Sequence, residues 1–315
     1  MTFDPAQLEL LVGEATPAEA RVYVRWPQSA AGHAVRLSGH IHGPICDFAR
    51  TLPARIPLID QGQDDPLLAM AVVPDPCFWT PSLPMRYEAI VDLASANIPP
   101  EETARVLRFG IRPLFRRGRR LLLEGRNWTL RAVAAATAAH APLDDWRAAG
   151  AAMLLADPAE ELCELADRRG VLLVAELHST SAAETRAEIR RLARHPSVGF
   201  IVLPAAQELS IDPRLLAAGA LLCQRIDPPG EDSRIAMKPW ADVAIVEARD
   251  IAAAGAAAAA CAAPLLALRS LESHVNVKEG RRWCDVLQAD LAGRGEFAGY
   301  AVDLDDRSST IPEPK

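Results

Sequence analysis

From about residue 120 onward the chain repeats one unit, a short and almost wholly apolar run followed by an amphipathic stretch. The apolar runs fall at 128–134, 151–156, 171–176, 198–203, 220–225, 242–247, 265–269 and 297–302. Amphipathic stretches near 142–149, 158–169, 181–194, 250–262 and 279–293 predict helices between them. The connections after the fourth and fifth runs are short or broken by Pro228-Pro229, so helices there are expected to be vestigial. Strands without polar alternation, separated by helices, imply a parallel sheet covered on both faces. Eight of them predict closure into a compact (β/α)₈ TIM-type barrel, with an open doubly wound sheet as the alternative. No G-x-G-x-x-G or G-x-x-x-x-G-K-[ST] follows any strand, so no nucleotide site and no cofactor is expected.

The first 115 residues read differently. Residues 21–26 and 34–39 alternate apolar and polar positions as half-buried strands do, and 67–73 and 87–93 are two further candidates. Prolines at 44, 53, 57, 66, 74, 76, 81 and 84 break the segment too often for long helices. Several short strands in that length predict a small all-β immunoglobulin-like sandwich. The expected division is a sandwich over 1–115, a barrel over 116–308 and a disordered tail over 309–315.

The net charge of −7 argues against a nucleic-acid partner, and the arginine run 116–120 is too short to reverse that. The opening Met1-Thr-Phe-Asp-Pro5 has neither a basic nor an apolar leader segment. The alanine-rich stretch 251–268 contains Gly255 and Pro264 and predicts a buried helix running into a strand, not a membrane span. Six scattered cysteines without a C-x-x-C pair fit reduced thiols, and a cytoplasmic location is expected. His40 and His42 can share one face of a strand, but no third ligand lies nearby, so surface histidines and no metal site are expected.

Five stretches resemble glycoside hydrolase family 2. Phe78-Trp79-Thr-Pro81-x-x-Pro84-x-x-Tyr87 is similar to a run late in that family's sandwich. Phe109-Gly110-Ile-Arg112, then Leu123-Glu-Gly125 and Leu130-Arg131, resemble its passage from sandwich into the first barrel strand. Residues 161–176, ending in Val-Ala-Glu176, resemble its helix–strand segment, and His195-Pro-Ser-Val198 the entry to its fourth strand. Gly299-Tyr-Ala-Val302-Asp303 is similar to its eighth strand. The resemblance implies a catalytic barrel behind an immunoglobulin-like sandwich, acting on glycosidic bonds through two glutamates.

The positions that should carry that chemistry hold other residues. The Asn-Glu closing the fourth strand falls on Ala205 and Ala206, and the nucleophile of the seventh strand on Arg269. The tryptophan of the eighth strand falls on Val302, and other substrate-positioning residues fall near Ala152, Leu155 and 134–137. Alanine cannot move a proton, and a guanidinium cannot form a glycosyl ester. The resemblance therefore implies a glycosidase-like scaffold without the retaining mechanism, in a binding or scaffolding role. The alternative is a divergent hydrolase, or another enzyme, that uses displaced acids, Glu208 and Glu272.

Charge remains at the expected barrel mouth: Glu176 and His178, Gln224 and Arg225, Glu247, Arg269, and Asp303. One reading is that these groups pair with one another and plug the barrel, with a Glu247–Arg269 pair expected. The other is a residual pocket for a carbohydrate or small polar ligand, anchored by Arg225 and Arg269 with Glu176 or Glu247 as acid/base. Cys223 is expected in the core, and Trp79 and Tyr87 in the sandwich core or at the domain interface. A third reading gives the function to the sandwich, through a protein partner at an exposed edge.

Overall fold

The computed structural model describes residues 8–26, 36–62, 67–94, 104–135, 142–179, 181–204, 212–227, 235 and 237–304. Two compact units emerge: 1–112 with 194–196, and 113–193 with 197–315.

The first unit is all β. Seven antiparallel strands run β1 (Glu9–Ala15), β2 (Glu19–Trp26), β3 (Arg36–Ile45), β4 (Ala54–Asp60), β5 (Leu67–Pro74), β6 (Arg86–Ala94) and β7 (Ala104–Phe109). Their spatial order is β1-β2-β5-β4-β3-β6-β7. Strand β4 joins two layers: its residues 54–58 pair with β3, whereas Ile59 and Asp60 pair with β5. Alternation puts Val22 and Val24, Leu37 and Ile41, Ala69 and Ala71, and Tyr87, Ala89 and Val91 into one core, as a sandwich requires. Tyr87 stacks on Phe109 at 5.5 Å between centroids, and its hydroxyl oxygen accepts the Cys77 N–H at 2.8 Å. Trp79 is also fully buried, as its sequence context predicts. The sequence reading missed β1, β4 and β7, and residues 34 and 35 of its second strand lie outside the described residues.

The second unit opens with a three-stranded antiparallel sheet, β8 (Leu114–Arg117), β9 (Arg120–Leu123) and β10 (Arg126–Trp128). A closed barrel of eight parallel strands follows: β11 (Leu130–Ala134), β12 (Ala152–Ala156), β13 (Leu173–Glu176), β14 (Val198–Leu203), β15 (Leu221–Ile226), β16 (Val243–Glu247), β17 (Leu265–Leu271) and β18 (Gly299–Leu304). Five helices are present among the described residues: α1 (Leu143–Ala149), α2 (Glu160–Arg169), α3 (Ala182–Ala193), α4 (Ile251–Ala260) and α5 (Val277–Asp290). After β14 the described residues hold only a 3₁₀ turn, Pro213–Leu215. The stretch 251–268 is helix α4 running into β17, as expected. None of the described helices is long and apolar enough to cross a membrane.

Local chemistry sets the helix ends. Asn276 and Glu279 form a reciprocal capping box at the start of α5, and the Asp250 carboxylate accepts the N–H groups of Ala252 and Ala253 at the start of α4. Gly150 and Gly170 close α1 and α2 with φ of 62° and 72°, a conformation that costs a side-chain-bearing residue energy.

The helices define the barrel's two faces. Val133, Met153, Leu173, Ala175, Ile201, Leu222, Ala244, Ala267, Tyr300 and Val302 cluster with helix residues Cys163, Ile189, Ala257 and Cys284, so they point outward. Residues one position away point inward, because side chains alternate along a strand. Paired parallel neighbours share a face, and the register carries the inward set around the barrel: Ala132, Leu154, Val174, Phe200, Cys223, Ile245, Leu268 and Ala301. At the N-terminal end of the strands the three-stranded sheet closes the barrel. Leu114 approaches Gly199 and Leu172 would crowd any side chain there, while Trp128 stacks on Phe200 at 6.5 Å.

Candidate functional site

The inward faces that end at the C-terminal edge of the barrel carry Ala134, Ala156, Glu176, Arg225, Glu247, Ser270 and Asp303. Glu176 closes β13, Arg225 is next to last in β15, Glu247 closes β16, and Ser270 and Asp303 pair in register near the ends of β17 and β18. Five polar side chains of five strands therefore meet at one mouth, and Ala134 and Ala156 leave β11 and β12 without bulk there.

Arg225 is the centre of this group. Its Nε and Nη2 each donate to one oxygen of Glu176 at 2.7 Å, reaching across β14. The Glu176 hydrogen bonds raise the guanidinium pKa further above its ordinary value, against the desolvation that lowers it. The charges of Glu176, Asp303 and Glu247 add to the rise. Arg225 is thus permanently cationic and set among three carboxylates. Glu247 accepts from Arg249 Nε and from the Ser270 hydroxyl at 3.1 Å, both on Oε1.

The other candidates stand elsewhere. Arg269 faces outward: its register partner is Val302, and its Nη2 lies 2.7 Å from Asp290 at the end of α5. In place of the expected Glu247–Arg269 pair, Glu247 pairs with Arg249 and Arg269 with Asp290 of α5. Gln224 also faces outward and is buried, its Oε1 accepting the backbone N–H of Lys238 at 2.7 Å. Val302 packs among the helix-facing residues. The mouth residues of the seventh and eighth strands are consequently Ser270 and Asp303, one position beyond those that the sequence comparison selected.

His178 lies on the rim. Its backbone N–H donates to Asp157 Oδ1 at 3.1 Å, and its Nδ1 is 3.6 Å from Asp157 Oδ2. Glu272 and His274 are exposed in the segment after β17. Ala205, Ala206 and Glu208 lie outside the described residues. Cys223 sits on the inward face, fully buried, and burial pushes its thiol pKa well up, which makes it a core residue and no nucleophile. His40 and His42 share a face of β3 at Pro57 and Arg55 of β4, with Arg55 Nη2 3.4 Å from His40 Nδ1. Burial and the Arg55 charge lower the His40 pKa. No group of three metal-binding side chains occurs among the described residues.

Ser270 escaped the sequence reading, whereas Asp303 was expected at the mouth. The available signal was the outward row of Ala267, Tyr300 and Val302, but its direction is not fixed without the helices.

No family model matches the sequence, and no curated protein is similar to it. Solved structures are. A β-glucuronidase of Bifidobacterium dentium, solved with coumarin-3-O-glucuronide, matches with a TM-score of 0.58 at 15% identity, over 94% of this chain and 60% of that one. A glycosyl hydrolase family 2 member of Bacteroides cellulosilyticus gives 0.64 at 14% identity, over 96% and 44%. A β-glucuronidase of Dictyoglomus thermophilum gives 0.55 at 11% identity, over 95% and 61%. The chain spans about half the length of these structures. What it shares with them is architecture: an all-β domain followed by an eight-stranded parallel barrel, the fold of glycoside hydrolase family 2.

Proposed function

We infer that this barrel is a glycosidase-like scaffold that binds a small polar ligand, of carbohydrate type, without the retaining mechanism. The observation that carries this reading is the Glu176–Arg225 clamp at the mouth. A retaining mechanism needs two carboxyls facing each other across the scissile bond, one to donate a proton and one to attack. Glu176 accepts a guanidinium N–H at each oxygen, so both of its oxygens are engaged by Arg225. On the seventh strand the mouth residue is the hydroxyl of Ser270, whose recorded contact is Glu247. Hydroxyl and carboxylate oxygens arranged in this way suit the hydrogen-bonding edge of a polyol, and the relatives' complex with a glucuronide makes a sugar the natural probe.

The test is hydrolysis of 4-nitrophenyl β-D-glucuronide, β-D-glucoside and β-D-galactoside by the full chain. The expected outcome is no release above the buffer rate, unchanged by Glu247→Gln. Turnover that Glu176→Gln, Glu247→Gln, Glu208→Gln or Glu272→Gln abolishes would instead establish a hydrolase with displaced acids.

A further inference from the structure

A second site lies at the other end of the barrel. The β8–β10 sheet carries Arg116, Arg117, Arg119, Arg120 and Arg126 and closes the strands' N-terminal side. Two of these arginines have acidic partners: Arg116 Nε lies 3.1 Å from Asp242, and Arg120 Nε 2.6 Å from Glu296. Arg117 and Arg119 have none among the described residues, and the Nε of Arg119 is buried with no hydrogen-bond partner.

The same residues line a cleft of about 540 Å³ formed by Arg117, Arg119, Arg120, Leu122, Gly125, Asn127 and Glu296. That volume is in the range that holds small ligands, roughly 300–1,000 Å³. Gly118 and Gly125 adopt φ of 59° and 73° in the two turns, and a Cβ at either would meet nothing within 4 Å, so both turns leave open space. Three guanidinium groups against one carboxylate leave two positive charges in the cleft, on a chain whose net charge is −7. The excess is therefore local, a site and not a general field. A phosphate monoester carries about −1.5 to −2 at neutral pH, and the planar guanidinium fork matches its oxygens in pairs.

We propose that this cleft binds a small phosphate-bearing ligand, with Arg117 and Arg119 holding the phosphate oxygens and Asn127 donating beside them. Glu296 tempers the affinity by holding Arg120. The site is independent of the mouth, and its failure would leave the reading of the mouth untouched.

The test is calorimetric titration of the full chain with inorganic pyrophosphate. Saturable binding at one site is expected. Arg119→Gln and Arg117→Gln each weaken it about tenfold or more, and Glu296→Gln tightens it. Arg126→Gln, on the same sheet but outside the cleft, leaves it unchanged. Circular dichroism confirms that each variant folds; should either cleft arginine prove necessary for folding, the tightening by Glu296→Gln decides alone. Absence of saturable heat, or affinity indifferent to these changes, would overturn the proposal. So would displacement of pyrophosphate by single-stranded oligonucleotides whose affinity grows with length, which would make the arginines an extended polyanion surface.

Discussion

Arg225 and Glu176 stand on strands separated by β14, so their two 2.7 Å hydrogen bonds depend on the barrel being closed and correctly registered. Arg225 is 40% exposed and Glu176 20%, which screens the pair and holds its contribution to about 1 kcal/mol. Glu176→Gln is expected to cost about that much in urea unfolding. In the double variant with Arg225→Gln the loss should fall short of the sum, because the two residues share one interaction. Arg225 retains Asp303 and Glu247 nearby when Glu176 is neutralised, so the single change should not unfold the chain. Tyr87 offers a sharper residue-scale test. Tyr87→Phe leaves the Cys77 N–H without its acceptor in the sandwich core, at a cost of about 1–2 kcal/mol. Residue identity was the most legible part of the mouth: Glu176, Arg225, Glu247 and Asp303 were all visible in the sequence as charges ending apolar runs. Direction was not. A slip of one residue turns every side chain of a strand to the opposite face, and Arg269 and Gln224, expected at the mouth, face the helices instead.

Helix α5 shows what individual elements depend on. A Cβ at Gly280 would come within 2.6 Å of Val133 Cγ1 and 3.0 Å of its Cγ2, both on a β-branched side chain of β11. Gly280→Ala gains about 1 kcal/mol of helix propensity and loses about 1–3 kcal/mol to overpacking. The expected net effect is a lower thermal midpoint, since Val133 has no rotamer freedom to yield. Asn276→Ala removes the capping box at the same helix and should cost about 1 kcal/mol. The barrel strands and all five helices were legible because each buries a continuous apolar run or a 3.6-residue stripe against a defined neighbour. Strand β14, 198–203, has the bounds that the sequence reading gave it. The sandwich was less so. Strand β4 contains Pro57 and reads as a break, yet it pairs with β3 through that position because its role is to pass between two layers. Strand β7 is exposed at alternate positions along most of its length, and β1 is half-buried, so neither shows a strong pattern. The β8–β10 sheet was seen only as a run of arginines, since its strands have just three or four residues.

For the molecule as a whole, protons held by buried groups set the alkaline limit. Burial pushes the thiols of Cys163 and Cys284 from 9.0 up to about 12, and the Tyr87 hydroxyl from 10.0 to about 12. The folded chain keeps these protons where the unfolded chain releases them, so their stabilisation is complete below pH 9 and is lost as pH rises toward 12. Thermal midpoints should decline across that window, and less steeply in Cys163→Ala/Cys284→Ala. The architecture puts charge at both ends of one barrel, three carboxylates around Arg225 at the mouth and arginines at the closed end. The fold is that of the glycoside hydrolase family 2 structures, and the mouth is proposed to bind without reacting. A cyclophellitol aziridine of the kind found covalently bound to a Bacteroides uniformis β-glucuronidase puts that reading to the most direct test. After incubation of the full chain with cyclophellitol-6-carboxylate aziridine, intact-mass spectrometry should show the unmodified mass alone. One adduct per chain, mapped to Glu176, Glu247, Glu208 or Glu272, would contradict it.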